Sequence, residues 1–116
     1  MIQFEIMVQN LVKPGSEIVN ELTPHQASLI HMALGISGEA GELLDAIKKS
    51  SIYQKPIDMQ NIIEELGDLE FYMEGLRQEL KITREQTIQG NISKLSKRYE
   101  SMKYSNQAAI ERNDKK

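Results

Sequence analysis

The apolar residues of this chain recur at helical spacing, and no stretch competes with the strict alternation of a half-buried strand. Leu29, Ala33, Ile36, Ala40, Leu43 and Ile47 make one stripe; Ile62, Leu66, Leu69, Met73 and Leu76 make a second; Ile88, Ile92, Leu95 and Tyr99 make a third. A helix with one apolar face must bury it against another element. The predicted fold is therefore all-α, a small bundle of antiparallel helices.

Capping signals fix where these helices begin. Thr23-Pro24-His25-Gln26 puts a threonine at the N-cap, a proline at the first helical position and a glutamine three residues after the cap, the pattern of a capping box. Thr83 and Gln86 repeat it, and Asp58 caps the helix between them. The predicted long helices run to about Lys49, Leu80 and Met102. Phe4, Met7, Val8 and Leu11 predict a short N-terminal helix, which Pro14-Gly15-Ser16 separates from the rest, and the polar tail from Asn106 holds one more turn.

With 116 residues, one domain is expected. Seventeen acidic and fourteen basic residues give a formal net charge of −3, so no basic surplus drives general nucleic-acid binding. Cysteine is absent, which excludes disulfides and thiolate metal sites, leaves oxygen or imidazole ligands for any metal, and fits a reducing cytoplasm. The opening residues lack a charged segment followed by a long apolar run, and no stretch reaches the roughly 18 apolar residues of a membrane span. A soluble cytoplasmic protein is expected.

The pattern that carries chemistry is repeated. Glu39-Ala40-Gly41-Glu42-Leu43 in the first long helix recurs as Glu65-Leu66-Gly67-Asp68-Leu69 in the second. Residues three apart on a helix differ by roughly 60° in direction, so each acidic pair shares a face. Both pairs lie on the same flank of their apolar stripe, and packing stripe on stripe brings four carboxylates together. Like charges at that range repel and need a cation. Oxygen-only ligation suits Mg²⁺ or Mn²⁺. A single E-x-x-E is more often surface decoration; two on neighbouring helices, each with an internal glycine, are harder to explain that way. Gly41 and Gly67 are expected to leave room for a helix or a ligand to approach.

Glu39-x-x-Glu42, then 22 residues, then Glu65-x-x-Asp68 resembles the metal motif of the MazG-like all-α nucleoside triphosphate pyrophosphohydrolases. The resemblance runs from about Thr23 to Arg112 through "HMALGISGEAGELLDAIKK", "IIEELGDLEFYMEGL" and "NISKLSKRYESMKYSNQAAIER", the last similar to small phage and bacterial members. Two positions depart from the family's pattern: Glu100 replaces a common proline, and Phe71 a common tryptophan. The resemblance implies Mg²⁺-dependent cleavage between the α- and β-phosphates of a nucleoside triphosphate, giving the monophosphate and pyrophosphate. It implies Glu39, Glu42, Glu65 and Asp68 as metal ligands, and Lys48, Asn91, Lys94 and Arg98 as substrate contacts. It divides the single domain into an N-terminal helix and linker at 1–22, catalytic helices at 23–104 and a C-terminal tail at 105–116. It also implies assembly, and a homotetramer is expected, with a dimer as fallback.

The plainer readings are ordinary. Lys48 suits the last turn of a helix, where the dipole favours cations, and "KLSKR" is commonly a solvated charge run. His31 lies two turns before Glu39 and is a candidate for lining a base pocket; neither motif helix carries the Glu-x-x-His unit of a di-iron bundle. Either Glu39 or Glu42 is expected to position or deprotonate the attacking water. Guanine triphosphates, GTP or dGTP, are the expected substrates among the phage-type specialists. Two other readings compete: a helical interaction module with a solvated acidic rim, and a related enzyme acting on a phosphoribosyl or diphosphate substrate.

Overall fold

The computed structural model describes residues 1–116, all helix, turn and loop. Six α-helices follow one another: α1 (Phe4–Leu11), α2 (Gly15–Glu21), α3 (Pro24–Ser51), α4 (Met59–Leu80), α5 (Arg84–Arg98) and α6 (Asn106–Glu111), with a 3₁₀ turn at Asn113–Lys115. The all-α expectation holds. Both capping boxes form: the Thr23 hydroxyl accepts from the Gln26 N–H while the Gln26 side chain accepts from the Thr23 N–H, and Thr83 and Gln86 do the same. The Asp58 carboxylate accepts from the Asn61 N–H at 3.1 Å. No helix is long and apolar enough to cross a membrane.

The molecule is built around the α3/α4 pair. His25 meets Glu79, Met32 meets Gly75 and Tyr72 meets Gly35, so the two helices run antiparallel. Their approach depends on two notches without a Cβ. A methyl group on Gly35 would overlap the Tyr72 ring, and one on Gly75 would overlap the Met32 sulfur. Each helix thus offers a glycine to the other's large side chain, and two interlocked pairs fix the register. At the far end of the seam Ala46 and Ile62 are buried. Nδ1 of His25 lies 2.7 Å from the Glu79 carboxylate and ties the other end.

Three expectations need correction. The segment expected as a linker after Pro14 holds helix α2: Pro14 sets the N-cap backbone at φ −60°, and Lys13 pairs with Glu21 across the helix. Helix α5 stops at Arg98 rather than Met102. Tyr99 leaves the helical region, Met102 turns with φ 58°, and the chain doubles back so that Asp114 grips Arg98. Finally, one chain does not close a bundle. Helix α5 packs on α6 and the 3₁₀ turn, while α3 packs on α4.

The consequence is a very open chain. Only Ala46, Ile62 and Arg77 are buried, and the radius of gyration is 20.1 Å where a compact domain of this length has about 13 Å. Ile88, Ile92 and Leu95, the stripe expected to point inward from α5, are 42, 48 and 37 % exposed. Leu34, Leu44, Ile63, Leu66 and Phe71 are exposed on α3 and α4 as well.

Candidate metal centre

Halfway along the α3/α4 seam, the antiparallel register set by Gly35 and Gly75 brings the two acidic motifs together. Glu39, Glu42 and Glu65 each present a carboxylate oxygen within 4.8 Å of the others. Asp68 stands just outside this group, near enough for its charge to raise the Glu39 pKa. Glu39 and Glu65 are half-buried and Glu42 is exposed, so the cluster has a closed side and an open one.

The closed side is chemically unfinished. One carboxylate oxygen of Glu39 and one of Glu65 are buried with no hydrogen-bond partner. Buried polar atoms in folded proteins nearly always have a partner, and a buried carboxylate oxygen without one is costly. Nor does any arginine or lysine neutralise the group: the ion pairs of α3 and α4 lie elsewhere, at Asp45–Lys49, Glu79–His25 and around Arg77. Protons are what remain. Burial, followed by the adjoining Glu39 and Glu42 carboxylates, pushes the Glu65 pKa up to about 7. Burial also raises Glu39, with repulsion from Glu42 and Asp68 adding to it and contact with Glu65 opposing. A hard divalent cation fits this donor set: oxygen only, anionic, and short of partners.

The open side is a groove of about 530 Å³ without a single apolar side chain, lined by Gly38, Gly41, Glu42, Asp45 and Lys49 of α3 and by Asn61 and Glu65 of α4. Gly38, Glu42, Asp45 and Lys49 recur at spacings of three and four and make one stripe along α3. Gly41 and Gly67 have open space where a Cβ would stand. Neither brings the helices together, and Gly41 instead leaves bare backbone in the groove wall. The close-approach role belongs to Gly35 and Gly75. Spacing gives that away only in part, because each needs its large partner on the opposite helix to be known.

The remaining expected residues are spread out. Lys48 turns from the groove and sets its ammonium 5.4 Å from the centre of the Tyr53 ring, whereas its neighbour Lys49 lines the groove. His31 is exposed one turn before Gly35, edge-on to Tyr72 at 6.2 Å between ring centres. Asn91 and Lys94 are exposed on α5 and are not part of the groove wall. Arg98 is held by Asp114, whose two carboxylate oxygens accept from Nε at 2.8 Å and Nη2 at 3.1 Å. That bidentate grip raises the Arg98 pKa and holds Asp114 at about 2. Asp45, Lys49 and Asn61 were not singled out by sequence. Helical periodicity from Glu42 would have found the first two; Asn61 needs the fold.

Residues 27–102 match the family model described as the MazG nucleotide pyrophosphohydrolase domain, which takes in both acidic motifs and all of α5. Among curated proteins and among solved structures, no match is found. The matched span covers well over half of the chain, and the chain belongs to the MazG nucleotide pyrophosphohydrolase family.

Proposed function

We propose that this chain, acting as one domain, hydrolyses a nucleoside triphosphate between its α- and β-phosphates, with Glu39, Glu42, Glu65 and Asp68 holding Mg²⁺ or, in its place, Mn²⁺. The observation that carries this reading is the pair of buried, unpartnered oxygens on Glu39 and Glu65, at the wall of an open polar groove in a chain of this family. Bound divalent metal supplies charge neutralisation for the phosphates and lowers the pKa of coordinated water.

The side chains have separable tasks. Glu39 and Glu65, half-buried, fix the inner ligand positions, and Asp68 adds charge from α4. Glu42 is both a cluster member and an exposed part of the groove wall, so it orients the attacking water and accepts its proton. His31 lies on the α3 stripe beyond Gly38, on the side away from Lys49, where a base extends. Substrate is a ribo- or deoxynucleoside triphosphate, with GTP and dGTP the first to test.

Helix α5 reaches this groove from a neighbouring copy. Its apolar stripe is exposed, as are the outer faces of α3 and α4, and a homotetramer, or failing that a dimer, covers them. Asn91 and Lys94 then contact substrate across a subunit boundary, and Arg98 does so with the edge that Asp114 leaves open.

The test is a panel of nucleoside triphosphates incubated with protein and Mg²⁺, scored for monophosphate and pyrophosphate. Formation of both from at least one substrate is expected, and Glu39→Gln and Asp68→Asn abolish it. No turnover, release of orthophosphate alone, or full activity in those variants overturns the reading and favours an interaction module. Turnover confined to a phosphoribosyl or diphosphate substrate would move the enzyme to that related class.

A further inference from the structure

The polar groove does not end at the acids. Beyond Lys49 and Asn61, which belong to both, it continues into a second recess of about 320 Å³ lined also by Ala46, Lys55, Pro56 and Asp58. The charge changes sign along the way. Glu42 and Glu65 mark one end, and Lys49 and Lys55 the other.

The α3/α4 loop holds Lys55 there. The Lys55 N–H donates to the Lys49 carbonyl at 3.2 Å, and the Ile52 N–H donates to the Lys48 carbonyl at 2.8 Å. Gln54 turns the chain with φ 57°, its side chain bound to the Ser51 carbonyl at 3.0 Å. The loop therefore folds back over the end of α3. Lys49 lies 3.4 Å from Asp45, one turn back on the same stripe, while Lys55 has no carboxylate within ion-pair range. The Asp58 carboxylate is engaged in capping the Asn61 N–H. Lys49 answers the dipole at the end of α3, but Lys55 lies outside any helix and has no such reason to be there.

We infer that Lys49 and Lys55, with the Asn61 side chain, bind the β- and γ-phosphates of the substrate and then the departing pyrophosphate. This rests on the triphosphate reading above and gives it a direction. From Glu42 to Lys49 is two helical turns, about 10 Å along α3, so a phosphate chain whose α-phosphorus lies over the acids extends toward the lysines. The nucleoside lies the opposite way, over the bare backbone at Gly41 and Gly38. Cleavage places the growing negative charge on the bridging and β-phosphate oxygens, at the cationic end, and leaves the monophosphate at the other.

Binding of inorganic pyrophosphate and of nucleoside monophosphate, measured by calorimetry in Mg²⁺ on the full chain, tests this. Lys55→Gln and Lys49→Gln should each weaken pyrophosphate binding by about tenfold, the loss of one charge-assisted contact. Monophosphate affinity and Mn²⁺ affinity should stay within twofold, and Lys55→Arg should recover most of the pyrophosphate binding. Unchanged pyrophosphate affinity in both glutamine variants overturns the inference, as does an equal loss of monophosphate and pyrophosphate binding. The two readings fail separately: lysine-dependent pyrophosphate binding without triphosphate turnover sinks the proposed reaction, and turnover with lysine-independent pyrophosphate binding sinks the subsite.

Discussion

The Tyr72 ring lies against Gly35 where any other residue would place a Cβ, and Met32 fills the matching notch at Gly75. Helix position and site geometry meet at these two contacts. Gly35→Ala should destabilise the protein by about 1–3 kcal/mol, the usual cost of overpacking a close contact. Gly41→Ala, in open space, should instead stabilise it by up to about 1 kcal/mol while putting a methyl group into the groove and lowering kcat/KM. Thermal melts and steady-state rates on the two variants check the contrast; equal effects on stability would contradict it.

On the proposed reading protons and metal would compete for the acids, so pH and cation should have coupled effects on stability. The folded-state pKa of Glu65 is raised to about 7 from 4.5, so between those values the folded state holds a proton that the unfolded state releases. Its contribution is therefore present below about pH 4.5 and is lost as pH rises through about 7. Metal-free protein should melt at a lower temperature at pH 8 than at pH 5.5, and Glu65→Gln should flatten that slope. Saturating Mn²⁺ should restore stability at pH 8, by about 2.7 kcal/mol at a hundredfold excess over Kd. Differential scanning calorimetry across pH, with and without Mn²⁺, measures both.

Stability should also depend on protein concentration. Three buried residues are too few for an isolated chain to hold its helices. Sedimentation should find an oligomer, and the melting temperature should fall on dilution. Ile92→Asp, in the exposed stripe of α5, should shift the sedimentation profile toward smaller species. A monomer with a concentration-independent melt would contradict the assembly.

The C-terminal turn hangs on one carboxylate. Asp114, its side chain 1 % exposed, takes Arg98 in a bidentate grip with Arg112 at 3.8 Å. Asp114→Asn should free residues 105–116, seen as faster hydrogen exchange there with α3 and α4 unchanged. The folded-state pKa is lowered to about 2, so the grip is complete above the ordinary aspartate value of 3.8 and is lost as pH falls through about 2.

Much of this was legible beforehand, for identifiable reasons. Capping is local chemistry, so Thr23, Asp58 and Thr83 announce helix starts that hold in the structure. The acidic motifs were legible because two helices repeat them, and antiparallel packing gathers Glu39, Glu42 and Glu65. What was not legible depends on distant partners. Tyr99 continues the apolar period of α5, yet the helix ends before it, and a carboxylate sixteen residues beyond Arg98 holds the returning chain there. The inward stripe of α5 had no inside to face within one chain. Lys55 sits in a loop where periodicity says nothing, and only the fold-back onto Lys49 makes it part of the groove wall.

The interlocked notches at Gly35 and Gly75 carry a lesson for transplantation. Sliding α4 by one turn along α3 would displace its acids by about 5.4 Å, leaving every carboxylate present and the cluster gone. Grafting Glu39, Glu42, Glu65 and Asp68 onto another helical hairpin would therefore copy the letters of this centre without its alignment, unless Gly35 with Tyr72 and Gly75 with Met32 travelled with them.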